Sequence, residues 1–207
     1  MGIATIESLN TEQASIVQEN LGLFLAAIPI TQGMNWGRDH GADHRTVMGL
    51  FGQFEGDPST RRAEAGILFR SGPGARGVVL VQSKVKPINL PSGAAVITDG
   101  GLVADVGSEV TFQIAVNAVI SKSRSNFRTP AADPVEWARK KLAPALWVQD
   151  AKLEDIKITT SAMSGALVIS SITGIATVTK REALADFVTN GVGRAKAFGA
   201  GLLTIQK

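Results

Sequence analysis

The chain has 207 residues, with 21 Lys and Arg against 18 Asp and Glu for a net charge of +3, and no cysteine. That excludes a disulfide framework, a thiolate metal site and a Cys nucleophile together. Hydrophobic residues make up 44% and charged residues 19%, enough apolar material for a core and too little charge for a disordered chain. The N-terminus lacks a basic stretch leading into an apolar run, and no segment reaches the roughly 18 apolar residues of a membrane span. A soluble, cytoplasmic protein is expected, and the slight positive charge permits a polyanionic partner.

Residues 1–20 read as a polar extension with a short helix over Glu12 to Glu19. The first strand is the apolar run Leu21 to Ile30, followed by a loop carrying Asn35, Trp36 and Gly37. A helix begins near Asp39, its Val47, Met48, Leu50 and Phe51 at helical spacing and Gly52 as its stop. Ala63 to Arg70 and Gly77 to Ser83 read as strands joined by the turn Ser71-Gly72-Pro73-Gly74. Residues 86–107, rich in glycine and proline, read as irregular structure with short strands and carry the expected boundary between two domains.

The second half opens on strict alternation, with Val110, Phe112, Ile114, Val116 and Ala118 on one face of a strand. Asp133, Pro134 and Glu136 form a helix start, and Val135, Ala138, Leu142, Ala145 and Leu146 share a face behind it. Strands follow near 152–160 and 166–178. Thr179 and Glu182 are spaced as a second capping box, opening a helix through Leu184 and Val188 to Asn190-Gly191. A glycine-rich segment and a short strand, Gly201 to Ile205, complete the order strand, helix, strand, strand, helix, strand of the ferredoxin-like motif. The expected fold is α+β, two tandem ferredoxin-like domains over 21–105 and 106–207, the second helix of the first domain being weak.

Three segments are suited to chemistry. Gly191 to Gly201 interleaves Gly191, Gly193, Gly199 and Gly201 with Arg194 and Lys196. Such a loop brings backbone close to a phosphate chain, although an ordinary helix stop with solvated cations has the same composition. Asp39-His40-Gly41-Ala42-Asp43-His44-Arg45 holds both histidines of the chain, four apart on one helical face. They read either as metal ligands with Asp39 and Asp43, as solvated capping residues, or as a source of metal-free proton transfer. For the last, His44 is the better candidate because the apolar face at Val47 and Phe51 fixes it on a rigid element. Lys122, Arg124 and Arg128, with Arg139, Lys140 and Lys141, form a basic run able to track an RNA backbone or simply face water.

The ending Gly191 to Ile205, GVGRAKAFGAGLLTI, resembles that of the CasE family, the CRISPR RNA endoribonucleases of the type I-E Cascade complex. The resemblance extends to Leu23–Ile30 and to His44 with Leu50-Phe51 six and seven residues later. It continues through Arg61-Arg62 with Ile67-Leu68-Phe69-Arg70, Val79–Ser83 and 106–117, covering about 21–207. It implies two ferredoxin-like domains holding an RNA hairpin, without metal, small-molecule cofactor or membrane. It implies cleavage at the base of a CRISPR repeat by the RNA 2′-hydroxyl, leaving a 2′,3′-cyclic phosphate, after which the enzyme stays bound among the other Cascade subunits. Carried over by position, His44 is catalytic and the loop of Gly191, Gly193, Arg194, Lys196 and Gly199 contacts RNA. Arg45, Lys122, Arg124 and Arg128 are expected, on their charge, as further RNA-binding residues. The chain departs from the family pattern at Gly41, where relatives have tyrosine, at the neutral 161–166 loop, and at Asn117-Ala118 in place of Asn-Pro. The first two suit a subunit that holds CRISPR RNA without cutting it. Arg45, Arg124 or Arg128 is expected to supply the cation the 161–166 loop lacks.

Overall fold

The computed structural model describes residues 19–30, 40–53, 57, 60–70, 77–121, 128–161 and 165–207. The helix expected over 12–19, the loop at 35–37 and the turn at 71–74 lie outside them, apart from Glu19.

Ten strands and four α-helices build two four-stranded antiparallel sheets and a small ribbon among these residues. The first sheet uses β1 (Glu19–Pro29), β2 (Leu68–Arg70), β3 (Val78–Ser83) and β4 (Ala95–Val103) in the order β2-β3-β1-β4. The second uses β5 (Glu109–Val116), β8 (Leu146–Ser161), β9 (Gly165–Val178) and β10 (Leu203–Gln206) in the order β10-β5-β9-β8. Numbered within each half, both orders are the same, fourth-first-third-second. The ribbon pairs β6 (Val119–Ser121) with β7 (Arg128–Pro130). Helices are α1 (His40–Gly49), α2 (Arg61–Glu64), α3 (Pro134–Leu142) and α4 (Arg181–Asn190), with a 3-10 turn at Lys196–Phe198. The fold is α+β with tandem ferredoxin-like halves.

The first half has no second helix among the described residues between β3 and β4. In a ferredoxin-like unit that helix covers the first and last strands. Here α4 of the second half packs against β1 and β4, and Leu23, Val103, Leu184 and Val188 belong to one buried cluster. The apolar face that the first sheet would leave exposed is covered by its neighbour, which joins the two halves through a shared core. A separate cluster of Ala26, Ile28, Val47, Leu50, Phe51, Ile67, Phe69, Val79 and Val81 fixes α1 on the first sheet.

Several expected boundaries shift. Ala63 to Ile67 is not strand: Arg61–Glu64 makes one helical turn and Gly66 at φ +62° breaks it before β2. Within 86–107, expected as irregular structure with short strands, Ala95–Val103 forms one nine-residue strand, β4, because β1 supplies a partner for it across two register irregularities. Asp133 caps α3 as expected, its Oδ1 accepting from the amides of Val135 at 2.8 Å and Glu136 at 3.0 Å. The second capping box does not form: the residue before α4 is Lys180, with no side-chain cap bond. The β8–β9 pairing runs on to Ser161 and Gly165, whereas β5 pairs β9 only between Ser170 and Thr177. The hairpin therefore projects beyond the sheet as an arm.

Candidate active site

His44 sits on α1 one turn before Val47, which is fully buried. Packing of Val47, Leu50 and Phe51 on the first sheet leaves the imidazole little freedom relative to the scaffold. The ring is half-buried, and its Nδ1 is enclosed with no hydrogen-bond partner among the described residues. Nε2 is therefore the nitrogen with room to act.

Arg62, from the one-turn α2, reaches the same place. Its Nη1 donates to the carbonyl of Ile67 at 2.6 Å, so the guanidinium is tethered to the entry of β2. Burial pushes His44 below its ordinary pKa, and the neighbouring charges of Arg62 and then Arg45 push it the same way. The imidazole is consequently neutral near neutral pH, the state able to accept a proton. Burial also lowers Arg62, although a guanidinium has ample margin to stay charged.

The glycine-rich segment supplies the third group. It closes on itself through Val192 N–H donating to Gly201 O at 2.9 Å, and is anchored by Gly201 N–H donating to Ala115 O at 2.7 Å. Its 3-10 turn packs against both α1 and β2. Lys196 opens that turn, directly after Ala195, which adopts the left-handed conformation at φ +61°. Burial lowers Lys196 first and the charge of Arg62 adds to it, while Asp186 on α4 opposes the change. His44 and Lys196 thus come from opposite halves of the chain, and both feel Arg62.

The glycines of this loop have a packing reason of their own. A Cβ on Gly191 (φ +72°) would stand 2.9 Å from both Gly201 O and a Leu68 methyl, and one on Gly193 (φ +78°) would stand 2.9 Å from the Trp137 ring. Gly199 adopts φ +85° at the end of the 3-10 turn. Among the other sequence candidates, Arg45 and Arg194 are exposed. Lys122 and Arg124 lie outside the described residues, and Arg128 begins β7 opposite Ser121. The cations sensed at His44 among the described residues are Arg62 and Arg45. Arg62 was not singled out from the sequence. Its one signal was a doublet of arginines just ahead of a buried strand, and only the fold brings it to the histidine. No group of three or more His, Asp or Glu that could hold a metal ion occurs among the described residues, and no described helix is long and apolar enough to cross a membrane.

A rigid tandem ferredoxin-like scaffold with a neutral histidine beside two cations defines a class of protein suited to acid–base work on an anionic substrate. Residues 29–207 match the family described as CRISPR associated protein, and the chain belongs to that family. No curated protein sequence matches it. Among solved structures, it is similar to Thermus thermophilus Cse3 bound to an RNA representing a pre-cleavage complex, at 19% identity and TM-score 0.72, covering 90% of this chain and 100% of that one. The CRISPR endoribonuclease Cse3 bound to 19 nt RNA gives 17% identity and TM-score 0.71 over 89% and 98% of the two chains. The CRISPR-associated protein Cas6e of Escherichia coli K-12 gives 24% and 0.63 over 88% and 98%. These likenesses establish the tandem ferredoxin-like fold.

Proposed function

We propose that the protein is a metal-independent endoribonuclease that cleaves precursor CRISPR RNA at the base of a repeat hairpin. It acts in the cytoplasm and stays on its product as a subunit of a Cascade surveillance complex. The observation that carries this reading is the half-buried His44 on α1, its Nδ1 enclosed, its pKa pushed down by burial and by the charge of Arg62, which is tethered at Ile67. Family membership and likeness to chains described as RNA-bound endoribonucleases and as part of a CRISPR RNA-guided surveillance complex support it.

RNA brings its own nucleophile, so the protein needs to orient the 2′-hydroxyl, take its proton and balance charge at phosphorus. His44 takes that proton through Nε2. Arg62, tethered at Ile67, lends positive charge to the phosphorane-like transition state. The 2′-oxygen bonds to phosphorus, the bond to the 5′-oxygen breaks, and a 2′,3′-cyclic phosphate and a 5′-hydroxyl result. Arg45, Lys122, Arg124, Arg128 and the loop of Gly191, Gly193, Arg194, Lys196 and Gly199 hold the RNA backbone. The recognition body comprises two units that meet near residue 105, the first opening with β1 at Glu19 rather than at Leu21.

The test is incubation in chelator with a labelled repeat hairpin, beside a copy carrying a 2′-deoxy substitution at the cut site. Cleavage of the first alone is expected, and loss of activity in chelator would return the metal reading of His40 and His44. A second reading, an RNA-holding subunit that does not cut, is favoured by Gly41 and by the absence of any tyrosine from the chain. Tight, salt-sensitive binding without cyclic-phosphate product would establish that one.

A further inference from the structure

Resting on the endoribonuclease reading, we propose that Lys196 is a catalytic residue. It protonates the 5′-oxygen as that oxygen leaves phosphorus, while His44 accepts the proton of the 2′-hydroxyl. One proton enters the protein at His44 and one leaves it at Lys196, so the P–O2′ bond forms and the P–O5′ bond breaks without a free alkoxide.

The argument starts from position. Lys196 is the first residue of the 3-10 turn that lies against α1, the helix of His44, and against β2, whose entry tethers Arg62. Its stem crosses Gly201, where a Cβ would meet Lys196 Cγ at 3.1 Å. A side chain at position 201 would thus crowd that path. The left-handed Ala195 and the Gly201–Ala115 bond fix the turn from both ends. In-line displacement needs a proton acceptor and a donor on opposite sides of one phosphorus. A helix of one half and a loop of the other, meeting across Arg62, supply two such groups.

The electrostatics agree. The charged groups sensed at Lys196 are Arg62 from α2 and Asp186 from α4; the elements packed against its turn also carry His44 and Arg45 on α1 and the buried Arg70 on β2, and the loop itself carries Arg194. Burial and then Arg62 lower the pKa of the ammonium, which makes it a better acid, and Asp186 opposes that change. His44, lowered by burial and by Arg62, is ready as the base. Pairs of groups set to opposite protonation states are the usual arrangement for such transfer.

The experiment uses the full chain in chelator with two repeat hairpins, one ordinary and one carrying sulfur in place of the scissile 5′-oxygen. A thiolate leaves without needing a proton. Lys196→Ala is expected to slow single-turnover cleavage of the ordinary RNA by roughly 10²–10⁴-fold, and to be largely restored on the sulfur substrate. His44→Ala is expected to stay impaired on both. Lys196→Arg keeps the charge and the fold but cannot donate readily; it should remain slow on oxygen, recover on sulfur and lose the alkaline limb of the pH–rate profile. Equal impairment of Lys196→Ala on both RNAs would overturn the proposal and leave Lys196 a fixed cation. Recovery of His44→Ala in its place would overturn it by exchanging the roles. Wild type that cuts neither RNA would remove the nuclease reading and this assignment together, an outcome distinct from the other two.

Discussion

The Gln82 side chain on β3 donates from Nε2 to the backbone carbonyl of Val188 at 2.6 Å, and the bond is buried. Val188 lies in the last turn of α4, where carbonyls lack partners within their own helix. A residue of the first half thereby completes a helix of the second, immediately before the loop that carries Lys196. Gln82→Leu should leave that carbonyl unpaired and cost about 1–3 kcal/mol, a fall of about 2–4 °C in Tm per kcal/mol for a chain of this size. Cleavage should fall more than stability predicts, since the loop loses its registration against α1. A variant with wild-type melting and wild-type rate would mean the contact does not hold the halves in register.

His44 should titrate below its ordinary value of 6.5, and with only two histidines in the chain its NMR signals are readily assigned. Arg62→Ala removes one cause and should move the midpoint back up. Arg45→Ala should do so less, Arg45 being the smaller influence and exposed to screening water. Bound RNA should raise the midpoint by bringing a phosphate to the ring. The acid limb of the cleavage profile should follow the same order, and an Arg62→Ala profile that does not move would sink the assignment of Arg62 as the neighbouring charge.

The same shift sets a stability window. The folded pKa of His44 is lower than the unfolded one, so below 6.5 the unfolded chain binds more protons at this position. Stability from this group is complete above 6.5 and declines as pH falls toward the folded value. His44→Gln, which cannot charge, should flatten the loss of stability measured by denaturant titration across that interval. An unchanged slope in the variant would show that the ring is not held neutral by the fold.

What could be read from the sequence, and what could not, divides along local and non-local physics. Alternation at Val110 to Val116 and the Asp133 cap depend on residues within one element, and both appear where expected. β4 was obscured because its glycines and polar residues hide a strand whose stability comes from pairing with β1, some seventy residues away. The Thr179 box failed for a related reason: its N–H donates to Ala145 O at 2.9 Å, which holds the residue in the preceding strand connection and places Lys180 at the cap. His44 and Lys196 were legible as residue types in unusual local settings. Arg62 was not, because its relation to them exists only after both halves have folded together.

The glycines give the most direct test of whether the loop is a packed element. Gly191→Ala and Gly193→Ala each force a side chain into the left-handed region and into contact, with Gly201 O and Leu68 in one case and the Trp137 ring in the other. Strain of this kind costs on the order of 1–3 kcal/mol. Gly77, at φ +80° but with nothing within 4 Å of its Cβ, isolates the backbone term, so Gly77→Ala should cost less than either. If the loop positions Lys196, the two loop variants should also slow cleavage on saturating RNA, whereas Gly77→Ala should change melting alone. Gly193→Ala in a Trp137→Leu background tests the contact itself: shortening the ring should recover part of the loss, as coupled neighbours do. Strictly additive losses would mean that Trp137 does not set the position of the loop.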